Sequence, residues 1–181
     1  MTYHLASLTF DEPIMRFDVP ESEKKSAAHP HEVFLINLIT NHILLFVVFM
    51  TSANTYPLLP LLTPAISIVI LAYILLRARK SLNDDPWFVM CHWQLSARWA
   101  RIFIVMIAIL AAIIGLLLWI SGGDMEPQHY AVGGAVLLPV MVTVLGLIIL
   151  ESEGTHQARQ GILPKSMVER YPNAEAVALE E

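Results

Sequence analysis

The chain's inventory for acid–base, redox or metal chemistry is seven histidines, one cysteine and sixteen acidic residues. His42 stands alone in a stretch without Asp, Glu, Lys or Arg that runs from Glu32 to Arg77. An ionisable group in an apolar segment of that length is costly to place in lipid, which makes His42 the first candidate for haem, quinone or proton chemistry. No carboxylate or second histidine lies at matching depth in the other apolar runs. A proton relay or a bis-histidine haem at His42 therefore requires a partner subunit. The structural alternative is a neutral imidazole bonded to a nearby asparagine or backbone group.

A second group of ligand-type residues flanks the apolar runs. His29, His31 and Glu32 precede the first run, and Glu151, Glu153 and His156 follow the last one. Glu153 and His156 have the Glu-x-x-His spacing that turns a carboxylate and an imidazole to one side of a helix, as in carboxylate-bridged metal bundles. This makes His31, Glu32, Glu153 and His156 the candidate metal ligands. The motif occurs once, whereas such bundles use two copies and further glutamates. Gly154 inside it and Pro30 between the two histidines also weaken helical presentation. The competing reading is a solvated, charged helix end. Cys91–His92 is weaker still, because a lone cysteine has no partner for zinc or a disulfide.

Signatures of established enzyme chemistry are absent. The chain has no Gly-x-Ser-x-Gly, no phosphate-binding Gly-x-x-x-x-Gly-Lys-Ser/Thr, no His-Glu-x-x-His and no Cys-x-x-Cys, so catalysis is not expected and no cofactor is identified.

The elements that must position these groups follow from composition. Of 181 residues, 56% are hydrophobic and 15% charged, with a mean hydropathy of +0.59. Soluble domains carry about one-quarter charged residues. Here the apolar residues gather in bilayer-length blocks, which excludes a disordered chain, a fibrous repeat and a nucleic-acid binder. A bilayer core of about 30 Å needs roughly 20 helical residues. That ruler divides the sequence into spans over 33–53, 61–79, 101–121 and 130–150. Asn54, Tyr56, Pro57 and Pro60 mark the first turn, and Gly122, Gly123, Asp124 and Pro127 the second.

The expectation is an all-α membrane protein of four transmembrane helices arranged as two helical hairpins. Residues 1–32 form an N-terminal segment, in which Pro13, Pro20 and Pro30 argue against a long helix and no signal-peptide pattern appears. Residues 33–150 form the membrane domain, and 151–181 a polar tail with a short helix over 173–180. In the loop 80–100, Asp85–Pro86 reads as a helix start with a carboxylate cap. The helix that follows is expected at the membrane interface, with Trp87, Trp93 and Trp99 at headgroup level.

Packing signals accompany the spans. Asn37 and Asn41 lie one turn apart on the first, with Thr40 beside them, and Thr63, Ser67 and Thr143 are the comparable polar residues elsewhere. Ala108, Ala112 and Gly115 on the third span, and Gly133 and Gly134 on the fourth, allow another helix to approach closely. Every one of the eleven Lys and Arg residues precedes the first span, follows the fourth or lies within 77–101, the facing ends of the second and third spans and the loop that joins them. Positive loops stay cytoplasmic, so both termini are expected there, in a multi-pass protein of a bacterial inner membrane.

Two functions are compatible with this inventory. One is a non-catalytic subunit, scaffold or assembly factor of a membrane complex, partnered by the bilayer and by other membrane subunits or copies of itself. The alternative is a redox or carrier subunit that uses His42 with haem, quinone or a proton supplied by a partner.

Overall fold

A computed structural model describes residues 13–52, 54–56, 58–122 and 126–179. Pro57, Gly123 and Asp124, which the sequence assigns to turns, lie outside the described residues, as does the chain before Pro13. Four helices dominate: α1 (Glu21–Thr51), α2 (Leu62–Asp84), α3 (Trp87–Ile120) and α4 (Pro127–Gln160). Each is long and apolar enough to cross a membrane, giving the multi-pass helical architecture expected from the charge-free runs. Strands β1 (Ile14–Phe17), β2 (Ile162–Pro164) and β3 (Ala178–Leu179) form a small antiparallel sheet in the order β2-β1-β3. A short helix, α5 (Lys165–Arg170), follows β2.

The helices outrun the apolar segments, and always toward the same end of the bundle. Residues 21–32 of α1, 80–84 of α2, 87–100 of α3 and 151–160 of α4 all continue past the bilayer ruler. Pro30 does not stop α1: only its own missing N–H is lost, and its carbonyl accepts a hydrogen bond from Ser96 Oγ at 3.4 Å. The short helix expected over 173–180 is instead a turn leading into β3, because pairing of Arg16 with Leu179 draws this segment onto β1.

The interfacial helix between spans two and three does not exist as a separate element. Residues 87–100 are the first part of α3, and Phe88, Val89, Cys91, His92, Leu95, Ala97 and Ala100 are buried against the other helices. Trp93 is buried, and Trp87 and Trp99 are half-buried. These rings pack inward because the extended ends of α1, α2 and α4 surround them. Trp87 Nε1 donates to the Tyr171 carbonyl at 2.6 Å and its ring meets Phe17 edge-on. Asp85 is not an N-cap either, since its carboxylate grips Arg77 of α2 at 2.7 and 2.8 Å.

Pairing within the bundle also differs from two self-contained hairpins. The most extensive packing is α1 on α4 and α2 on α3, with α1–α3 and α3–α4 contacts closing the bundle. The charged end explains this, for it is there that α1 and α4 lie together. Gly161 ends α4 in the left-handed region at φ 76°, and a Cβ there would meet the Phe17 carbonyl oxygen at 2.7 Å. Glycine thus lets the chain turn sharply and feed β2 directly beside β1.

Candidate functional site

The charged end encloses a line of three ionisable side chains from three helices. His31 of α1 lies between Glu151 of α4 and His92 of α3. His31 Nδ1 is 2.6 Å from Glu151 Oε2, and His31 Nε2 is 3.0 Å from His92 Nδ1. All three side chains are at most 1% exposed. Gly154, one turn beyond Glu151, makes the approach possible: a Cβ there would meet His31 ring atoms at 2.5 Å. Phe88 packs edge-on against the His92 ring at 4.8 Å, fixing its plane.

Each end of this line is buried and faces a neighbouring polar group. Glu151 Oε1 and His92 Nε2 are buried without a hydrogen-bond partner among the described residues. Ser96 stands beside the carboxyl and the Ile162 backbone beside the imidazole.

Each contact in the line holds one hydrogen, and two proton inventories satisfy both. With two protons, His92 Nδ1–H donates to His31 Nε2 and His31 Nδ1–H donates to the Glu151 carboxylate, leaving a bare lone pair on His92 Nε2. With three, a protonated Glu151 donates to His31 Nδ1, His31 Nε2–H donates to His92 Nδ1, and His92 Nε2 carries the third hydrogen. A doubly protonated His31 satisfies the three-proton count as well. A proton gained at His92 Nε2 can therefore shift along the line to Glu151 Oε2 while the heavy atoms stay in place.

A second polar cluster lies deeper, between α1 and α2. Asn37 Nδ2 donates to Ser67 Oγ at 3.0 Å, and Asn41 Nδ2 donates to Asn37 Oδ1 at 3.1 Å and to the Thr63 carbonyl at 2.9 Å. His42 Nε2 is 2.9 Å from the same Ser67 hydroxyl. Asn37–Leu45 is wound as a π-helix within α1, with Phe46 N–H bonding to the Asn41 carbonyl five residues back. Winding of this kind stacks residues five apart, so His42 comes round to the side of Asn37. In ordinary α-helix the two would diverge. Phe34 and Phe103, both buried and in ring contact, lie between this cluster and the Glu151–His31–His92 line. Phe103 touches Phe34 on one side and His42 on the other.

The candidate metal ligands are dispersed. His31 is committed to Glu151 and His92, while Glu32 pairs with Arg159 at 2.7 Å. Glu153 accepts from Gln157 at 3.0 Å, and His156 is exposed. Among the described residues no three His, Cys, Asp or Glu side chains form a metal-holding group. Ala108, Ala112 and Gly115 face outward on α3, and Cβ atoms added at Gly115, Gly133 and Gly134 would meet open space.

No family model matches the chain, nor does any curated protein or solved structure. Function must be argued from the geometry alone. His92 and Glu151 are the members of the line that spacing did not single out. For His92 the available signal was the uncharged stretch 86–97, which fits a helix enclosed on all sides better than one lying on a membrane surface.

Proposed function

We propose that this chain is a non-catalytic membrane subunit that takes up and passes on a proton through Glu151, His31 and His92. The observation that carries this reading is the unbroken hydrogen-bonded line of three buried ionisable groups, whose two contacts can each be filled by either of two proton inventories. Buried ionisable groups in mutual contact, each with a strongly displaced proton affinity, are candidates for a functional site. The apolar plug of Phe34 and Phe103 supports exchange with a partner at the charged end rather than conduction through this chain alone. The proton chemistry first sought at His42 is assigned to this line, because Ser67 and Phe103 hold His42 on the far side of the plug.

Assembly with other subunits is the complementary reading, favoured by the open small-residue faces at Gly115, Gly133 and Gly134. Placement in a bacterial inner membrane with both termini cytoplasmic rests on the eleven Lys and Arg, all of which lie in segments assigned to one side.

The test is infrared difference spectroscopy of the reconstituted protein between about pH 5 and about pH 9, the range towards which burial raises the Glu151 carboxyl. A carboxylic-acid band that appears with proton uptake, vanishes in Glu151→Gln and is displaced in His92→Gln is the expected result. A spectrum unchanged by Glu151→Gln would exclude the proton role.

A further inference from the structure

Away from the proton line, the charged end carries a cavity of about 340 Å³ between α1, α2 and α3. Glu23 and His29 line it from α1, Tyr73 and Arg77 from α2, and Trp93 from α3, with Asp85 at the turn below. Arg77 is the first charged residue after the long apolar run that ends in α2, so the cavity sits where hydrocarbon gives way to headgroups. Arginine, tyrosine and tryptophan concentrate at that depth.

The polar groups here are prepared for a ligand with two charges. The guanidinium of Arg77 is fixed by the double contact with Asp85 and by stacking over Trp93, 5.0 Å from the ring centroid. That contact uses one edge of its planar fork, and the Arg77 side chain stays 29% exposed. The Glu23 carboxylate has no ion-pair partner among the described residues, and it lines the same cavity. Tyr73 and His29 stand edge-on to Trp93 at 6.1 and 6.0 Å, forming an aromatic wall that joins the two charged sites.

Charge balance selects among headgroups. Asp85 neutralises Arg77, which leaves Glu23 as surplus negative charge. A purely anionic headgroup gains a guanidinium contact but meets that carboxylate. A zwitterion satisfies both, with phosphate oxygens accepting from Arg77 and a cation on Glu23. A primary ammonium suits Glu23 better than a quaternary one because it donates hydrogen bonds. The face of Trp93 that a quaternary ammonium would use is already taken by Arg77.

We propose that this cavity binds the headgroup of a zwitterionic aminophospholipid, its phosphate on Arg77 and its ammonium on Glu23. This binding is independent of the proton line, so either can fail without the other.

The test is native mass spectrometry of the full chain in detergent, offered equal amounts of phosphatidylethanolamine, phosphatidylcholine and phosphatidylglycerol. The expected result is retention of the ethanolamine lipid about tenfold above the glycerol lipid, cut about fivefold by Glu23→Gln, with Glu23→Lys reversing the preference. Glu23 is a half-buried side chain in the first turn of α1 and lies outside the buried core, so these variants leave that core intact; Arg77→Gln, which strands Asp85, serves as the second variant. Equal retention of the three lipids, or a preference unmoved by Glu23→Lys, would overturn the proposal. Free phosphoethanolamine and a short-chain phosphatidylethanolamine, each titrated calorimetrically, are the control for source: equally tight binding of the two would identify a soluble ligand and refute a lipid one.

Discussion

The two ends of this bundle are made from the same four helices and packed by different means. At the charged end, α1, α3 and α4 enclose Phe34, Phe88, Ala97 and Ala100 together with His31, His92 and Glu151. At the opposite end, residues 105–120 of α3 and 131–143 of α4 contain no buried side chain among those described, and Trp119 is 81% exposed. The difference follows from the solvent. Near water, burying apolar surface drives close packing, and the buried polar groups must then find one another. In hydrocarbon, lipid tails are as apolar as the side chains, so helices gain little by closing up unless small residues or hydrogen bonds join them. The charged end is therefore where chemistry can be built, and the apolar end is where lipid or another subunit must supply the packing.

Removing the centre of the proton line should break this contrast most severely. His31→Ala strands Glu151 and His92 together, and each buried polar group left unsatisfied costs about 1–3 kcal/mol. Reversible unfolding in mixed micelles should show a destabilisation of that order, with the charged end melting first by hydrogen exchange. Gly154→Ala comes next: its Cβ must displace the His31 ring, an overpacking worth about 1–3 kcal/mol. The infrared signature of Glu151 should shift in the same variant. Asn37→Ala, which empties the deeper cluster, should cost about 0.6–2 kcal/mol in the same unfolding measurement and leave the Glu151 band in place, because Phe34 and Phe103 lie between. Gly115→Leu should change the stability of the isolated chain by less than about 0.5 kcal/mol, since nothing packs there. If α3 docks against another subunit, that variant should lose the complex when the protein is extracted from its own membrane and sized. A Gly115→Leu chain that unfolds easily by itself would contradict the view of the apolar end as unpacked.

The spans were legible because lipid imposes a simple ruler: about 20 apolar residues without charge make a crossing. The same ruler hid the helix ends. It stops at Glu32 and Glu151, whereas the helices run on to Glu21 and Gln160 by packing on each other. The loop 80–100 looked interfacial because three tryptophans suggest headgroups, but those rings serve the core of the charged end. His31 and Glu151 were placed at one face by sequence, and the Glu-x-x-His pattern drew attention to Glu153 and His156, which point elsewhere. Gly154, read as a weakness in that motif, is what admits His31. The π winding of Asn37–Leu45 left no trace, since no proline or glycine marks it, and so the shared use of Ser67 by Asn37 and His42 was out of reach.

Nitrogen-15 magnetic resonance of histidine-labelled protein in lipid bilayers tests the proton line most directly. A through-hydrogen-bond coupling between His31 Nε2 and His92 Nδ1, with the tautomers of both rings exchanging in one step as the Glu151 carboxyl gains its proton, is the predicted result. A His31 ring that keeps a single tautomer while Glu151 titrates, with no coupling to His92, would contradict it.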